Sequence, residues 1–260
     1  MAGRVELGRR IAWIGAMILL AGLAAPVSGR SAALEVTPPR VRIGAFFRHT
    51  WIRVTATIPA GCEAVIEVVG RAVEEDMMLR GRRLGLWMNI GEVDILGAPR
   101  LYFAASTRRN LLTRTRRRFK WGYPYLARHM AFKGRVRAGE AHVLSQEFFD
   151  LKMSQKLYGL FPGALTSSAG PGGQKLVQGR FRLPSRIATG DYQVHLIVLR
   201  NRRILFRRQT DLKVDLVGFP ALLSNLAYKH SFIYGLLALV IAFGAGLLIG
   251  VIFKGGRKGH

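Results

Sequence analysis

The sequence predicts an all-β, immunoglobulin-like sandwich with a helical insertion, joined to one C-terminal transmembrane helix. Three observations predict it. Alternating apolar and polar runs stand on both sides of the chain's middle, that middle is basic and helical, and the end is an uninterrupted apolar stretch.

The apolar end fixes the setting. From Phe232 to Phe253 no residue is charged. A helix of that length is roughly 33 Å long, enough to cross a hydrocarbon core of about 30 Å. The transmembrane helix is assigned to 230–253. Lys254, Arg257 and Lys258 in the tail 254–260 read as a positive-inside, cytoplasmic flank, although Lys229 and His230 lessen the asymmetry. At the other end, Arg4, Arg9 and Arg10 precede an apolar run from Ile11 to Ala25, followed by Pro26, Ser28 and Gly29. A basic start, a short apolar middle and a small-residue exit describe a secretory signal peptide over 1–33. An uncleaved first span would give the same topology. The expected protein is single-pass in a bacterial inner membrane, with 34–229 in the periplasm.

Charge narrows the partners. The chain has 40 Lys and Arg against 15 Asp and Glu, a net charge of +25. In a soluble cytoplasmic protein this would point first to nucleic acid. An exported, anchored domain instead meets anionic lipid headgroups, acidic envelope polymers or small anions, so nucleic acid is not an expected partner. An arginine-rich coding bias is the competing explanation, because charge speaks to solubility and association rather than to fold. Cys62 is the single cysteine, which excludes an intramolecular disulfide and haem attachment through a paired-cysteine motif. Beside Ala64, Val65 and Ile66 it reads as a buried, inert thiol.

The exported segment begins with strands. In Trp51–Ile58, Ile52, Val54, Ala56 and Ile58 share one face, with Arg53, Thr55 and Thr57 on the other. Pro59-Ala60-Gly61 turns the chain into the β-branched run Ala64–Val69. Short strands are expected at Met77–Arg80, Leu84–Asn89, Val93–Leu96 and Leu101–Ala105, separated by Gly81, Gly91 and Gly97-Ala98-Pro99. Glu74-Glu75-Asp76 reads as a solvated turn. The segment 108–160 is the insertion. Its first part is basic and aromatic, and Glu140–Leu160 predicts a helix with Leu144, Phe148 and Leu151 as its stripe and Gly159 and Pro162 as its stop. Strands return at Phe181–Leu183, Tyr192–Arg200, Arg203–Gln209 and Asp211–Val217, with Asn201-Arg202 as a hairpin turn and a short linker to the span.

Few motifs carry chemistry. Gly170-Pro-Gly-Gly-Gln-Lys175 lacks the spacing of a phosphate loop, and Leu176 stands where Ser or Thr is needed. The six histidines are dispersed with no metal-ligand spacing, and no nucleophile motif is present, so no catalytic residue, metal or cofactor is assigned. The surface candidate is Arg108–Lys133, with Arg114, Arg116, Arg117, Arg118 and Trp121. Guanidinium groups bind phosphate and carboxylate bidentately, and aromatics suit a membrane interface. The alternative is a cationic segment whose aromatics enter the core. In the span, Ala238, Ala242, Gly246 and Gly250 recur every four residues, a pattern that lets another helix approach closely. Another integral membrane protein or a second copy of the chain would be the partner.

Two segments carry a family resemblance. Gly85-Leu-Trp-Met-Asn89 follows Arg80, Arg82 and Arg83, and Pro99-Arg-Leu-Tyr102-Phe-Ala-Ala-Ser106-Thr-Arg108 follows a strand later. Together with the order of signal, β-rich domain and late span, they resemble a family of predicted transmembrane proteins of uncharacterised function, found mainly in alphaproteobacteria. Arg100 departs from the family's small residue, and Arg109-Asn110 from its Pro-Leu. The resemblance implies no enzyme activity. It implies an accessory role beside a permease of the sulfite-exporter type. Among the matching residues, Trp87 and Tyr102 read as core residues, and Asn89, Ser106 and Arg108 are the candidates for a polar surface site. Three function classes stand: a membrane-anchored accessory protein, a binding module for anionic envelope components, and, least supported, an enzyme.

Overall fold

The computed structural model describes residues 33–83, 85–113, 120–134 and 139–255. Most of the expected signal peptide and the tail beyond Gly255 lie outside the described residues.

The chain opens with β1 (Leu34–Thr37), β2 (Arg40–Ile43), β3 (His49–Pro59) and β4 (Glu63–Gly70). A long hairpin follows, β5 (Ala72–Arg83) and β6 (Leu86–Pro99), and then β7 (Tyr102–Ser106). Between β7 and β9 (Tyr158–Phe161) lie α1 (Asn110–Thr113), α2 (Tyr123–His129), β8 (Ala131–Gly134) and α3 (Glu140–Ser154). Strands β10 (Thr166–Ala169), β11 (Gln174–Pro184), β12 (Gly190–Arg200) and β13 (Arg203–Leu216) complete the domain. Helices α4 (Phe219–Lys229) and α5 (Ser231–Gly255) end it.

Three sheets result, ordered β1-β3-β11-β10, β2-β13-β12-β4-β7-β9 and β5-β6-β8. The alternation read in β3 is the one observed: Ile52, Val54, Ala56 and Ile58 are buried, while Arg53 is exposed. The centre of the six-stranded sheet is buried on both faces, because Ala64 to Val68 and Tyr102 to Ser106 are all inaccessible. The side chains of β7 show what covers each face. Phe103 stacks on Phe181 of β11 with centroids 6.3 Å apart, and Tyr102 lies 6.1 Å from Tyr123 of α2. The sheet therefore has the four-stranded sheet on one side and the helical segment on the other. Cys62 is fully buried.

Several expected boundaries are corrected. The strands expected between residues 77 and 96 are parts of one hairpin, β5–β6, and Glu74-Glu75-Asp76 lies inside β5 rather than in a turn. Gly81 and Gly91 do not break it. It has two register shifts, one between Val73 and Glu75 and one between Leu79 and Arg80, the second close to Gly91, which pairs with Leu79. Helix α3 stops at Ser154, short of Gly159. Gln155 N–H bonds to Leu151 O, and Lys156 turns into the left-handed region at φ 61°, so the helix ends and Tyr158 starts a strand parallel to β7. Leu151, expected in the buried stripe, is exposed. The two last strands are one, β13. Asn201 and Arg202 form the predicted turn, with φ 50° and 64°. The final hairpin joins a sheet begun earlier, since β12 pairs with β4. The expected short linker to the span is a helix, α4.

Ser231–Phe253 of α5 is 23 residues long with a mean hydropathy of 2.8, and no part of it is buried. It is long and apolar enough to cross a membrane.

Candidate functional site

The segment Pro99–Arg108 is tied down through the side chains of Tyr102, Ser106, Thr107 and Arg108. Tyr102 and Glu67 face the helical side of the six-stranded sheet, because Glu67 pairs with Ala104 and Val69 with Tyr102. The Tyr102 hydroxyl donates to Glu67 Oε1 and accepts from Gly122 N–H at 2.6 Å. Burial pushes the Glu67 carboxyl up to about 7, against the lowering effects of the Tyr102 hydroxyl, Arg207 and the Gly122 amide. The Tyr102 phenol is raised well above its ordinary value, first by burial and then by Glu67. Tyr158, from the neighbouring β9, donates to Pro99 O at 2.7 Å.

Ser106 is fully buried, which corrects its expected place on a surface. Its hydroxyl donates to Arg108 O at 2.8 Å and accepts from Gly163 N–H at 3.2 Å, closing the loop after β9 onto the end of β7. Arg108 is exposed, with Nε 2.8 Å from Glu63 Oε1. The same carboxylate accepts from Thr107 Oγ1 at 2.5 Å and lies 3.8 Å from Lys175 Nζ. These side chains hold β7, β4 and β11 together and leave Arg108 engaged by an acid.

The other candidates do not converge on this cluster. Asn89 is exposed on the β5–β6 hairpin. Trp121 is fully buried, with Nε1 donating to Leu111 O at 3.0 Å, so it belongs to the core and not to a surface. The reason is local: Leu111, Leu112 and Trp121 form an apolar face that packs onto the sheet. Arg114, Arg116, Arg117 and Arg118 lie outside the described residues. Ala238, Ala242, Gly246 and Gly250 are exposed on α5. No other part of the described chain comes within 4 Å of the Cβ position at Gly246 or Gly250.

Two grooves escaped the sequence reading. One, about 830 Å³, runs between α2 and α3 and is lined by Tyr123, Phe149 and Met153 with Arg128, His142 and Asp150 among its polar residues. Tyr123 stacks on Phe149 at 4.8 Å, and burial pushes its phenol up to about 12. Among the described atoms its hydroxyl is buried without a hydrogen-bond partner. The second groove, about 790 Å³, is lined by the cations Arg48, Lys156, Arg182 and Arg186, with His49 and, among the described residues, no acid. Its cations come from three separate places: the β2–β3 loop, the turn after α3 and the end of β11. Lys156 is held at φ 61°, a conformation costing an L side chain about 1–2 kcal/mol, where Gly or Asn would be easier. The signal available in the sequence was the alternation of Arg180 and Arg182 with Phe181 and Leu183. It marks an outward cationic face without revealing what lies beside it. Among the described residues no three His, Cys, Asp or Glu side chains come together as metal ligands.

Over residues 32–255 the chain matches the family described as "Putative transmembrane protein (Alph_Pro_TM)". No curated protein matches it. The match spans most of the sequence, so the chain belongs to this transmembrane family.

Proposed function

We propose that this family member is a non-enzymatic, single-span accessory protein of the bacterial inner membrane. Its β-rich domain stands in the periplasm, its tail is cytoplasmic, and it assists or scaffolds a multi-helix membrane protein such as a permease. In this reading residues 34–229 form an immunoglobulin-like sandwich with a helical insertion at 108–160, and the facing sheets described above support that assignment.

The observation that carries the accessory role is the end of the β5–β6 hairpin. Leu86 and Met88 are 68% and 45% exposed there, within the Gly85–Asn89 segment that bears the family resemblance. Exposed apolar side chains lower their free energy when a partner covers them. The uncovered α5 offers a second contact inside the bilayer, where close packing rather than the hydrophobic effect drives association.

Cross-linking or co-purification in mild detergent tests this. Leu86→Asp with Met88→Asp, and separately Gly246→Leu with Gly250→Leu, should each lose a membrane-protein partner that the wild type retains. A control with Leu247→Ile and Ile249→Leu should keep it. Unchanged partners in both test variants would rule the role out. For topology, a phosphatase fused after Lys229 should be active and one fused after His260 inactive; the opposite result would reverse the orientation.

A second reading, a module that binds anionic envelope components, is favoured by the acid-free cationic groove.

A further inference from the structure

The strand register places the cationic groove at a particular end of the domain. Strand β2 runs parallel to β13, and Ile43 pairs with Leu216, so both strands finish together. Val217 N–H then donates to Ile43 O at 2.8 Å. From Ile43 one branch of chain turns through Phe46 and Arg48 into β3, while the other leaves through Gly218 for α4 and the span. Strand β11 ends at this same place, since Pro184 pairs with His49. Arg48, Arg182 and Arg186 thus stand where the chain departs for the membrane. Only α4 separates that end from the span, and eleven helical residues are roughly 16 Å long.

Three further facts bear on what the groove meets. Among the described residues none of Arg48, Lys156, Arg182 and Arg186 has a carboxylate within ion-pair distance. The last turn of α3 does not consume Lys156, because the carbonyls of Leu151, Lys152 and Met153 already accept from Gln155, Leu157 and Lys156 N–H groups. Beside Arg48, Phe46 is 98% exposed, an aromatic ring held out into solvent by a loop. Unpaired cations around an exposed aromatic are the chemistry of a surface that meets lipid headgroups and the interface beneath them.

We propose that the groove formed by Arg48, Lys156, Arg182 and Arg186 binds the phosphate of anionic phospholipids in the bilayer that α5 spans, with Phe46 entering the interface. The domain then lies against the membrane instead of swinging on its tether. This rests on the membrane-anchored reading above, and it places the lipid-facing surface at this groove instead of at Arg108–Lys133.

The test uses the full chain in nanodiscs. Cys62 is fully buried, so Ala45→Cys supplies the accessible thiol for an environment-sensitive fluorophore beside Phe46. Nanodiscs are made of phosphatidylcholine alone or of phosphatidylcholine with phosphatidylglycerol. A blue shift is expected in the anionic discs only, and it should fade as salt rises from about 0.1 M to about 1 M, where screening shortens from about 10 Å to about 3 Å. A label at Arg203→Cys, at the far end of β13 and roughly 45 Å away, should not shift. Removing the cations as Arg48→Ser, Lys156→Asn, Arg182→Ser and Arg186→Ser should lower the docked-to-free ratio about fivefold per charge. Asn is chosen at 156 because it tolerates the left-handed backbone. No shift in anionic discs, an equal shift in neutral discs, or a shift retained without the cations would overturn the proposal. A shift produced in neutral discs by inorganic phosphate would assign the groove to a soluble anion and overturn the lipid assignment. Co-elution of chain and disc is scored separately: its loss would strike down the membrane anchor on which the proposal depends.

Discussion

Gly85–Asn89 and Pro99–Arg108 both carry the family resemblance, and they meet the two ends of one strand, β6, yet the fold uses them in opposite ways. The second is buried from Leu101 to Ser106 within the six-stranded sheet, where Tyr102 reaches Glu67 and Gly122 and Ser106 closes a loop, and at its exposed end Arg108 meets Glu63. The first stands at a hairpin end with Leu86, Met88 and Asn89 exposed. A recognisable pattern of residues does not distinguish a structural lock from an outward-facing surface. Polar residues such as Ser106 suggest chemistry only until their hydrogen bonds are counted, and apolar ones such as Leu86 suggest core only until their exposure is known.

The same truncation made in both segments would break or sharpen this contrast. Tyr102→Ala removes a fully buried ring and leaves Glu67 and the Gly122 amide unpaired, so the chain should lose about 3–5 kcal/mol or fail to fold. Met88→Ala should change stability by less than about 0.5 kcal/mol. Thermal or denaturant unfolding in mild detergent, followed by tryptophan fluorescence, compares the two. Similar losses in both would end the distinction.

Close approach at the base of the hairpin gives the next effect. Gly97 has φ 78°, and a Cβ there would come 2.7 Å from His129 O at the end of α2. Gly97→Ala should cost on the order of 2–3 kcal/mol, since neither backbone can yield cheaply. A stability equal to wild type would show that α2 does not rest on β6.

The buried carboxyl sets a smaller, pH-dependent effect. The folded state raises Glu67 from its ordinary value to about 7, so the folded protein binds the proton more tightly than the unfolded chain. Its stabilising contribution is complete below about pH 4.5 and is lost as pH rises through about 7. Glu67→Gln should flatten that dependence and stabilise the protein at pH 8 by roughly 1–3 kcal/mol, because the amide oxygen still accepts from Tyr102. Unfolding curves at pH 5 and pH 8 measure it, and an unchanged slope between them would contradict the assignment. The least change is expected from Arg108→Gln. The guanidinium is largely exposed and Glu63 keeps Thr107 and Lys175, so under about 1 kcal/mol should be lost, and less at high salt.

Much of the architecture was legible in local pattern. The period of two in β3, the Asn201-Arg202 turn and the apolar run of α5 all depend on neighbours along the chain, and the structure has each of them where the pattern places it. The hairpin β5–β6 was read in pieces because glycine commonly marks a turn. Here Gly81 and Gly91 are carried within paired strands, and only the cross-strand partners reveal it. The expected end of helix α3 is too late because Gly159 and Pro162 are the stop signals in the sequence, whereas Lys156 ends the helix by a backbone conformation that no side-chain pattern announces.

The sequence alone determined that this chain has a β-rich domain and a terminal apolar helix fit to cross a bilayer, because periodicity and hydrophobic length act over a few neighbouring residues. Tertiary structure alone decided that Trp121 and Ser106 are interior, that Arg108 has Glu63, and that four cations from three distant segments share one groove with no acid among its described lining residues. Those facts depend on burial and on charges brought together across more than a hundred residues, and only the register of the sheets sets such distances.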